Sequence, residues 1–531
     1  MSTVADNKPA EEPDFQKMTL DTFMKMSDDE RSKLSATARK KWIKLEKKAQ
    51  DKSRKEEEAR ERAAAENAAR LERAKQIKIE LDLSLPPAKQ LKIRDLSKYV
   101  DQRVKIYGWV HHLRTDGKKL WFIDLRDGTG FAQIVLTGEM CMTYEAATLY
   151  REAAIAVYGK WVKDEKGRAQ GTFPGYELAA DFWELVGPSC ADIDMLFTKD
   201  SNPDILMNQR HLVLRGSKAS SVMRMRSIIT HCFREHFFDR GYTELSPPTL
   251  VNTQCEGGST LFNFNYFEDD GYLTQSSQLY LETGIAAVND CFCILPSYRA
   301  EKSQTRRHLA EFHHIEAERP FITFEDLLET IEDLVCDVID RVGKKMESDM
   351  DTFLRASGGK PIPKLERPFL RMTYEDAVKY CREHGIYKDP ETKEHFEFGD
   401  DIPEKPERQM TDEINRPIML IKFPASLKSF YMQKCDDDKR LTESVDLLLP
   451  GVGEVVGGSM RMWDMDELME AYKKEGMDPA PYYWFTDQRK YGTCPHGGYG
   501  LGLERFICAL LGIHHIRDAC LYPRYRGRIA P

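Results

Sequence analysis

The sequence predicts an α+β protein with several domains, and three observations support this. The chain has 531 residues, which is too many for one compact core. A charged, helix-forming stretch precedes a run of short alternating strands, and the remainder mixes strands and helices without regular crossovers. We predict four successive parts, namely a charged and largely helical extension, a small β-barrel, a hinge and an antiparallel sheet flanked by helices, over residues 1–82, 83–190, 191–220 and 221–531.

Composition is ordinary for a soluble globular protein. The chain contains no apolar run of about 18 residues, and its acidic N-terminus lacks the apolar core of a signal peptide. The twelve cysteines include no CxxC pair, which favours reduced thiols and therefore a cytoplasmic location. The net charge of −9 argues against a simple nucleic-acid coat protein, although local basic patches can still bind RNA.

The N-terminal extension is dominated by charge. A short helix is predicted over Asp21–Lys33, and a longer helix with polar residues on all sides over Ala38–Glu80. The first part of the longer helix, ARKKWIKLEKKAQDKSRK, is strongly basic. Such a run is commonly a solvated face, and the functional alternative is a non-specific grip on RNA phosphates that weakens steeply with salt.

Five short alternating strands follow between Lys92 and Gly187, joined in part by Asp-Gly turns. This pattern is typical of a small β-barrel of the OB type. Phe122 can stack on a base and Gln133 can hydrogen-bond a base edge, which is how proteins recognise single-stranded RNA. The alternative is that Trp121 and Phe122 belong to the barrel core.

Beyond the hinge, RSIITHCFREHFFDRGYTELSPPTL predicts an amphipathic helix that stops at Gly241, then a strand that ends in prolines. Later helices are predicted over Phe324–Lys344 and Asp466–Glu475, and strands over PIMLIKFP, SFYMQ, ESVDLLLP and GEVVGGSMRM. Any surface helix and strand would give the first pattern, so it does not by itself indicate an interface.

The stretch Ile294–Glu318, ILPSYRAEKSQTRRHLAEFHHIEAE, predicts a long β-hairpin. Alternation on its second strand places Phe312 and His314 on one face with Glu316 and Glu318, while the opposite face is mainly apolar. Several Arg residues crowd the connection, and concentrated guanidinium groups suit a polyphosphate. A solvated hairpin with a charged tip is the alternative.

A second stretch, Tyr491–Phe506 with the sequence YGTCPHGGYGLGLERF, carries four closely spaced glycines before Arg505. A backbone with little side-chain bulk can pass close to a ligand, although a structural turn is the commoner cause of such a run. A helix is predicted to begin directly after the last glycine, over Leu503–Leu511.

Together, YRAE…RRHLAEF and GYGLGLERF resemble motifs 2 and 3 of the class II aminoacyl-tRNA synthetases. The resemblance extends from about Lys98 to Pro531 and is strongest to the asparaginyl-tRNA synthetases of the eukaryotic cytosolic type. It implies an antiparallel class II sheet, and ATP-dependent ligation of L-asparagine to tRNA(Asn) through an asparaginyl-adenylate. ATP is then a substrate and Mg²⁺ the expected cofactor.

The resemblance also implies roles for individual residues. Arg299 holds the α-phosphate and the substrate carboxylate, and adenine lies between Phe312 and Arg505. The catalytic residues it implies are Arg299, Arg505 and Glu301. The ATP-binding residues it implies are Arg299, Glu301, Arg307, His308, Leu309, Phe312, Glu454, Gly502 and Arg505.

The metal ligands implied are Asp446 and Glu454, although paired surface carboxylates are more often plainly solvated. Related aspartate enzymes often have a metal-contacting Ser where this chain has Gly457, which puts the number of metal ions in doubt. Strict alternation would place Glu454 and Arg461 on opposite faces, so we predict a β-bulge at Gly457-Gly458.

The amino-acid-binding residues implied are Glu256, Gln278, Arg299, Glu316 and Arg461. Aspartyl enzymes have a Lys where this chain has Leu281, so a positive charge that an anionic side chain needs is missing. Glu316 can accept from the amide of asparagine, whereas aspartate there would meet like charge. The alternatives are that Leu281 only packs and that Glu316 pairs with a neighbouring Arg.

The remaining contacts implied concern the tRNA and a second subunit. The anticodon-binding residues are Phe122, Gln133 and Arg114, and the Lys-rich extension adds a grip on tRNA. Pro248 matches the fixed proline of motif 1, which builds the homodimer interface. The other hypotheses are an aspartyl-tRNA synthetase with relaxed tRNA choice, a non-catalytic RNA-binding or signalling relative, and an amide-forming ligase.

Overall fold

The computed structural model describes residues 19–531 apart from 33, 199, 257–259 and 303–304. The beginning of the predicted extension, the loop after Glu256 and the tip of the predicted hairpin therefore lie outside the described residues. The chain divides into two compact units, Met1–Met195 and Leu196–Pro531. No helix in the described part of the chain combines the length and the apolarity that crossing a bilayer requires. All twelve thiols are free.

The described residues of the extension form three helices: α1 (Leu20–Lys25), α2 (Asp28–Ser32) and α3 (Ala36–Ala74). The single short helix predicted at this point is two helices, because Met26 is extended and ends α1. Phe23 is fully buried and stacks on Trp42 of α3, with ring centroids 5.9 Å apart. The guanidinium of Arg31 lies 4.6 Å from the same ring. One small aromatic cluster therefore fastens the two short helices to a long polar one.

A closed β-barrel follows the extension, as the alternating pattern predicts. Its elements are β1 (Lys89–Leu91), β2 (Arg103–Thr115), β3 (Leu120–Arg126), β4 (Phe131–Thr137), α4 (Tyr144–Ala147), β5 (Ala154–Lys163), β6 (Tyr176–Gly187) and the short α5 (Ile193–Leu196). The sheet order is β1-β2-β3-β4-β6-β5, and β2 also pairs with β5, which closes five strands into a barrel. The inward side chains, Val104, Ile123 and Ile134 among them, are fully buried. The OB-fold prediction is confirmed.

The second unit begins with short helices and contains the large sheet. Its helices are α6 (Pro203–Asn208), α7 (Arg210–Val213), α8 (Ser217–Asp239), α9 (Gln278–Val288), α10 (Phe324–Met346), α11 (Met350–Ser357), α12 (Tyr374–Glu383), α13 (Glu404–Ile414), α14 (Met465–Glu475), α15 (Tyr483–Lys490) and α16 (Leu503–Leu511). Its strands are β7 (Thr243–Glu244), β8 (Leu250–Val251), β9 (Phe262–Tyr266), β10 (Asp269–Leu273), β11 (Cys291–Tyr298), β12 (Glu311–Pro320), β13 (Leu370–Thr373), β14 (Ile418–Ile421), β15 (Ser444–Leu449), β16 (Gly453–Met460) and β17 (His496–Gly502).

Eight of these strands form one sheet in the order β13-β14-β15-β16-β17-β12-β11-β7. The central strands are antiparallel, as predicted, but the pairs β13–β14 and β11–β7 at the two edges are parallel. A smaller sheet has the order β8-β10-β9. Together with the flanking helices, this gives the α+β fold that the sequence predicts.

The strand β12 has the two different faces that its alternation predicts. Ile315 and Ala317 belong to the main apolar core, which also contains side chains of α8 and α10. His314 and Glu316, with the opposite parity, line a cavity on the other face. The sheet therefore separates a packed apolar layer from a layer of ionisable side chains.

The predicted bulge in β16 exists, but the predicted position is wrong. Two consecutive residues of β15 pair with Val456 and Glu454, which leaves Val455 as the extra residue. Gly457-Gly458 pairs regularly with both neighbouring strands. The bulge resets the alternation, and Glu454 and Arg461 line the same cavity.

Candidate active site

One cavity opens between the β11–β12 hairpin and the first turn of α16. Arg299 follows β11, Phe312 lies on β12 and Arg505 lies at the start of α16. The guanidinium carbon of Arg299 is 5.5 Å from the centroid of the Phe312 ring. The cavity is lined by every residue predicted to bind the nucleotide: Arg299, Glu301, Arg307, His308, Leu309, Phe312, Glu454, Gly502 and Arg505. The fold thus brings the Phe312 ring and the guanidinium groups of Arg299 and Arg505 to a shared cavity.

Arg505 is held in place by Glu454 of β16. Its Nη1 donates to the Glu454 carboxylate at 2.9 Å and to the Glu454 carbonyl at 3.1 Å. Burial alone would raise the pKa of the Glu454 carboxyl, but the surrounding cations, Arg505 first, lower that pKa to about 2. Glu454 therefore stays ionised and orients the guanidinium toward the cavity.

Arg307 has a partner that the sequence motifs do not reveal. Its Nη1 donates to Glu407 Oε1 at 2.9 Å, and Glu407 lies on α13, 100 residues downstream. Burial raises the pKa of Glu407 to about 7, against the opposing effect of Arg307. His308, the next residue, lies 3.6 Å from Glu301, and burial lowers the pKa of His308. The hairpin connection is thus tied to the helical layer inserted after it.

A second cavity of about 250 Å³ adjoins the first. It is lined by all the residues predicted to bind the amino acid: Glu256, Gln278, Arg299, Glu316 and Arg461. Arg299 lines both cavities, and its buried Nε has no hydrogen-bond partner among the described residues. Since buried polar groups are nearly always paired, this nitrogen is available to an anionic ligand at the site.

Glu256 is oriented by two hydroxyl groups that the sequence analysis did not single out. Tyr431 donates to Glu256 Oε1 at 2.8 Å and Ser429 donates to Oε2 at 3.3 Å. Gln278 donates its amide to Glu282 at 3.0 Å. A carboxylate fixed by two donors at the cavity wall suits a ligand that carries an ammonium group.

Glu316 is buried and points toward α9. Its carboxylate accepts from the Ser276 hydroxyl and from the Ser277 backbone nitrogen, the latter at 2.9 and 3.1 Å. His314 Nδ1 lies 3.3 Å away. Glu316 pairs with no Arg among the described residues, so the alternative that it does is wrong. Leu281 is fully buried and also lines the cavity, so it both packs and shapes the wall.

Arg461 is embedded in a buried charge network. Its guanidinium donates to both oxygens of Glu318 at 2.9 and 3.0 Å. Nearby, Glu282 accepts from Arg489 at 2.7 Å and lies 3.0 Å from His496. Glu282, Glu318 and His496 are close enough together to bind a metal ion, but two guanidinium groups already neutralise the carboxylates. We interpret the network as the support that fixes Arg461.

The two predicted metal ligands lie side by side above Gly457. A Cβ atom there would be 3.5 Å from Glu454 Oε1 and 3.7 Å from Asp446 Oδ1. Neither of these oxygens makes a hydrogen bond to another described residue, whereas the second oxygen of Asp446 accepts from Lys428 at 2.7 Å. Carboxylate oxygens are the ligands that Mg²⁺ prefers, so this donor set fits the ion.

The glycines of β17 make room for side chains of β12. A Cβ atom on Gly498 would lie 2.0 Å from Glu318 Oε2, and one on Gly500 would lie 2.2 Å from His314 Nε2. The glycine run is therefore a strand in the middle of the sheet, and part of the reason for it is packing within the protein.

The barrel of the first unit brings its own three predicted residues together. Arg114 Nη2 donates to Gln133 Oε1 at 3.2 Å, and its guanidinium carbon lies 5.7 Å from the Phe122 centroid. Gln133 also donates to Glu177 at 2.8 Å, a partner the sequence did not suggest. Trp121 packs against the barrel core, whereas Phe122 lies half-buried beside Arg114. The alternative that these aromatic residues belong to the barrel core therefore holds for Trp121.

Pro248 lies in the connection between β7 and β8 and is exposed. Two apolar residues close to it in sequence are also exposed. The exposed fraction is 54% for Phe238, at the end of α8, and 52% for Leu250, on β8. Apolar side chains scattered singly on a surface are common, so these three residues do not by themselves mark an interface.

Family models match three parts of the chain. The model for class II tRNA synthetases (D, K and N) matches residues 202–526. The model for the OB-fold nucleic acid binding domain matches residues 104–186. The model for the N-terminal domain of asparaginyl-tRNA synthetase matches residues 7–86.

Similar proteins carry consistent names. Cytoplasmic asparagine–tRNA ligase of Bos taurus is 54% identical over 498 residues, which cover 93% of this chain and 86% of that protein. The Homo sapiens protein of the same name is 55% identical over 463 residues, 87% of this chain and 83% of that one. The solved structure of Entamoeba histolytica asparaginyl-tRNA synthetase in complex with asparaginyl-adenylate superposes with a TM-score of 0.78 at 47% identity. It covers 84% of this chain and 100% of that chain.

Proposed function

Because the chain belongs to the asparagine–tRNA ligases among the class II tRNA synthetases, we propose that its two adjoining cavities activate asparagine with ATP. The enzyme ligates L-asparagine to tRNA(Asn) in an ATP-dependent reaction, through an asparaginyl-adenylate, and it works in the cytoplasm as its named relatives do. The observation that carries the site assignment is Arg299, which lines both cavities and whose buried Nε has no hydrogen-bond partner among the described residues.

In the first step, a carboxylate oxygen of asparagine attacks the α-phosphorus of ATP and pyrophosphate leaves. Such a displacement depends mainly on positioning and charge neutralisation. We assign Arg299 to the α-phosphate and the reacting carboxylate, with adenine between Phe312 and the guanidinium of Arg505. The other nucleotide contacts are assigned to the same cavity: Glu301, Arg307, His308, Leu309 and Gly502. Glu301 also faces the tRNA end.

For the amino acid, we assign Glu256 to the α-ammonium group, with Gln278 beside it. Arg461 contacts the side-chain oxygen, and Glu316 accepts from the amide nitrogen. The support is that Glu256, Glu316 and Arg461 all line this cavity, and that Glu318 already neutralises the Arg461 guanidinium. A second negative charge, as in aspartate, would meet Glu316 without offering it a donor.

Pyrophosphate exchange tests this function against the aspartyl alternative. The purified enzyme should exchange labelled pyrophosphate into ATP when asparagine is present and much more slowly with aspartate. Faster exchange with aspartate would contradict the assignment. The absence of exchange with either amino acid would instead favour a non-catalytic relative, which the intact set of Arg299, Phe312 and Arg505 argues against.

We further propose that Mg²⁺ binds Asp446 and Glu454. The support is the pair of carboxylate oxygens that face Gly457 and have no hydrogen-bond partner among the described residues. When bound there, the ion would neutralise negative charge on the phosphates of ATP.

In the first unit, we propose that residues 83–190 bind the anticodon through Phe122, Gln133 and Arg114. Residues 191–220 act as the hinge to the catalytic part, 221–531.

Phe122→Ala should lower tRNA charging about tenfold or more, because stacking of one base contributes about 1–3 kcal/mol. The exchange reaction, which needs no tRNA, should keep its wild-type rate. Charging and exchange are measured on the same preparation.

Phe182→Ala is the matched control for this experiment. Phe182 is another half-buried ring of the barrel, and it packs edge-on against Tyr158 instead of lying beside Arg114. Its loss should leave charging near the wild-type rate. Equal losses of charging in the two variants would mean that Phe122 supports the barrel and does not read the anticodon.

For residues 1–82, we propose a grip on tRNA phosphates. The support is the exposed basic first half of α3. Contacts of this kind release counterions, so removal of the extension should weaken tRNA binding and reduce its dependence on salt. Unchanged salt dependence would favour a solvated helix.

We also propose a homodimer whose interface includes Pro248 and the exposed apolar residues Phe238 and Leu250. Closed two-fold dimers are the commonest oligomers. Light scattering on the purified enzyme measures its mass, and a single species of 61.3 kDa would contradict the proposal.

A further inference from the structure

Lys428 is a partly buried lysine that takes no part in the proposed binding of asparagine or ATP. Its side chain is 16% exposed, and Nζ lies 2.7 Å from Asp446 Oδ2. On another side, the ammonium is 3.7 Å from the centroid of the Phe423 ring. The group is therefore sandwiched between a carboxylate and an aromatic face, which holds it charged.

The location of Lys428 connects three cavities. It lines the amino-acid cavity and also a neighbouring cavity of about 520 Å³. That third cavity reaches Arg307 and His308, which also line the nucleotide cavity. Lys428 therefore borders a space that extends to two of the residues assigned to the nucleotide.

Lys428 and the proposed metal site share one ligand. Asp446 Oδ1 faces Gly457, and Asp446 Oδ2 accepts a hydrogen bond from Lys428 Nζ. Glu454, the other proposed metal ligand, is close enough to act electrostatically on the same ammonium. A divalent ion on these carboxylates would stand beside a fixed positive charge, and like charges in a poorly hydrated site repel strongly.

We propose that Lys428 and a divalent ion compete for Asp446, and that the displaced ammonium binds a phosphate oxygen of the nucleotide. This inference rests on the proposed function of the two cavities. In the free enzyme Lys428 neutralises Asp446. With nucleotide and metal present, the carboxylates neutralise the ion, and Lys428 adds its charge to those of Arg299 and Arg307. The flexible lysine stem and its three donors allow the exchange.

The first test measures Mn²⁺ binding to the enzyme without nucleotide, by electron paramagnetic resonance of the free ion. Lys428→Met removes the competing charge, so Mn²⁺ should bind about tenfold more tightly than to the wild type. Lys428→Arg keeps the charge and should bind Mn²⁺ as the wild type does. Equal affinities of the wild type and Lys428→Met would overturn the proposal.

The second test measures asparagine-dependent pyrophosphate exchange. In Lys428→Met, kcat should fall about 100-fold, as for loss of one electrostatic contact to the transition state. The KM for asparagine should stay within about threefold, because the cation contacts phosphate instead of the amino acid. Lys428→Arg should recover most of the lost rate. A change confined to the KM for asparagine would overturn the proposal.

Lys422→Met is the matched control. Lys422 follows β14, pairs with Asp437 at 3.2 Å and lines none of the three cavities. It should match the wild type in both measurements.

If Lys428→Met fails to fold, as judged by thermal unfolding, Lys428→Gln carries the same expectations, because its amide still donates to Asp446. Absent exchange in the wild type contradicts the proposed function, whereas wild-type exchange with unchanged Mn²⁺ affinity in the variant contradicts this inference alone.

Discussion

Arg299→Ala should slow asparaginyl-adenylate formation about 10³-fold, which corresponds to about 4 kcal/mol of transition-state stabilisation. Among the residues predicted to bind substrates, Arg299 and Glu454 line both the nucleotide cavity and the amino-acid cavity, and Arg299 is the cation of the two. Its charge therefore lies where the phosphate and the carboxylate come together. Single-turnover formation of the adenylate measures the effect, and thermal unfolding shows whether the fold is retained.

Arg306→Ala is the matched control for Arg299→Ala. Arg306 belongs to the same hairpin connection, but it donates to the Gly451 carbonyl at 3.0 Å and lines neither cavity. Its removal should change the adenylate rate by less than about threefold. A wild-type rate in Arg299→Ala would remove the central residue of the proposed mechanism. A loss only in substrate affinity would assign Arg299 to ground-state binding.

Local sequence patterns predicted the elements around the nucleotide cavity well. The helix predicted over Leu503–Leu511 has those bounds in the structure, and the hairpin pairs as expected. Both rest on periodicity within a single element, together with glycine at a helix start. Such signals depend only on neighbouring residues, so they are available from the sequence.

The bulge shows what alternation can and cannot predict. The need to bring Glu454 and Arg461 to one cavity predicts that one extra residue interrupts β16. An insertion at any point between them restores the same parity, so the pattern leaves the position open. The sequence favours the two glycines, but the extra residue is Val455. Pairing of β16 with β15 determines that position.

The supporting residues of the site could not be predicted, because they come from distant segments. Glu407 holds Arg307 from a helix 100 residues away. Glu282 and Arg489, which belong to the network around Arg461, meet across 207 residues. No short motif records such pairs, and only the folded sheet brings them together. The glycines at 498 and 500 are a related case, since the side chains they accommodate lie on a different strand.

Glu316→Gln should narrow the preference for asparagine over aspartate about 100-fold. The substitution keeps an acceptor for the Ser276 hydroxyl and the Ser277 nitrogen, both of which reach Oε1, so the local fold should persist. It removes the negative charge that we expect to accept from the substrate amide and to repel a substrate carboxylate. The asparagine kcat/KM should therefore fall while the aspartate value falls less or rises.

The ratio of kcat/KM for asparagine and aspartate in pyrophosphate exchange is the informative quantity, because a general loss of activity lowers both values equally. Glu311→Gln provides the matched control on the same strand, since Glu311 is exposed and lines neither cavity. If the ratio in Glu316→Gln equals that of the control, Glu316 only organises the start of α9. The discrimination would then depend on Arg461, whose charge Glu318 neutralises, and on the apolar wall at Leu281.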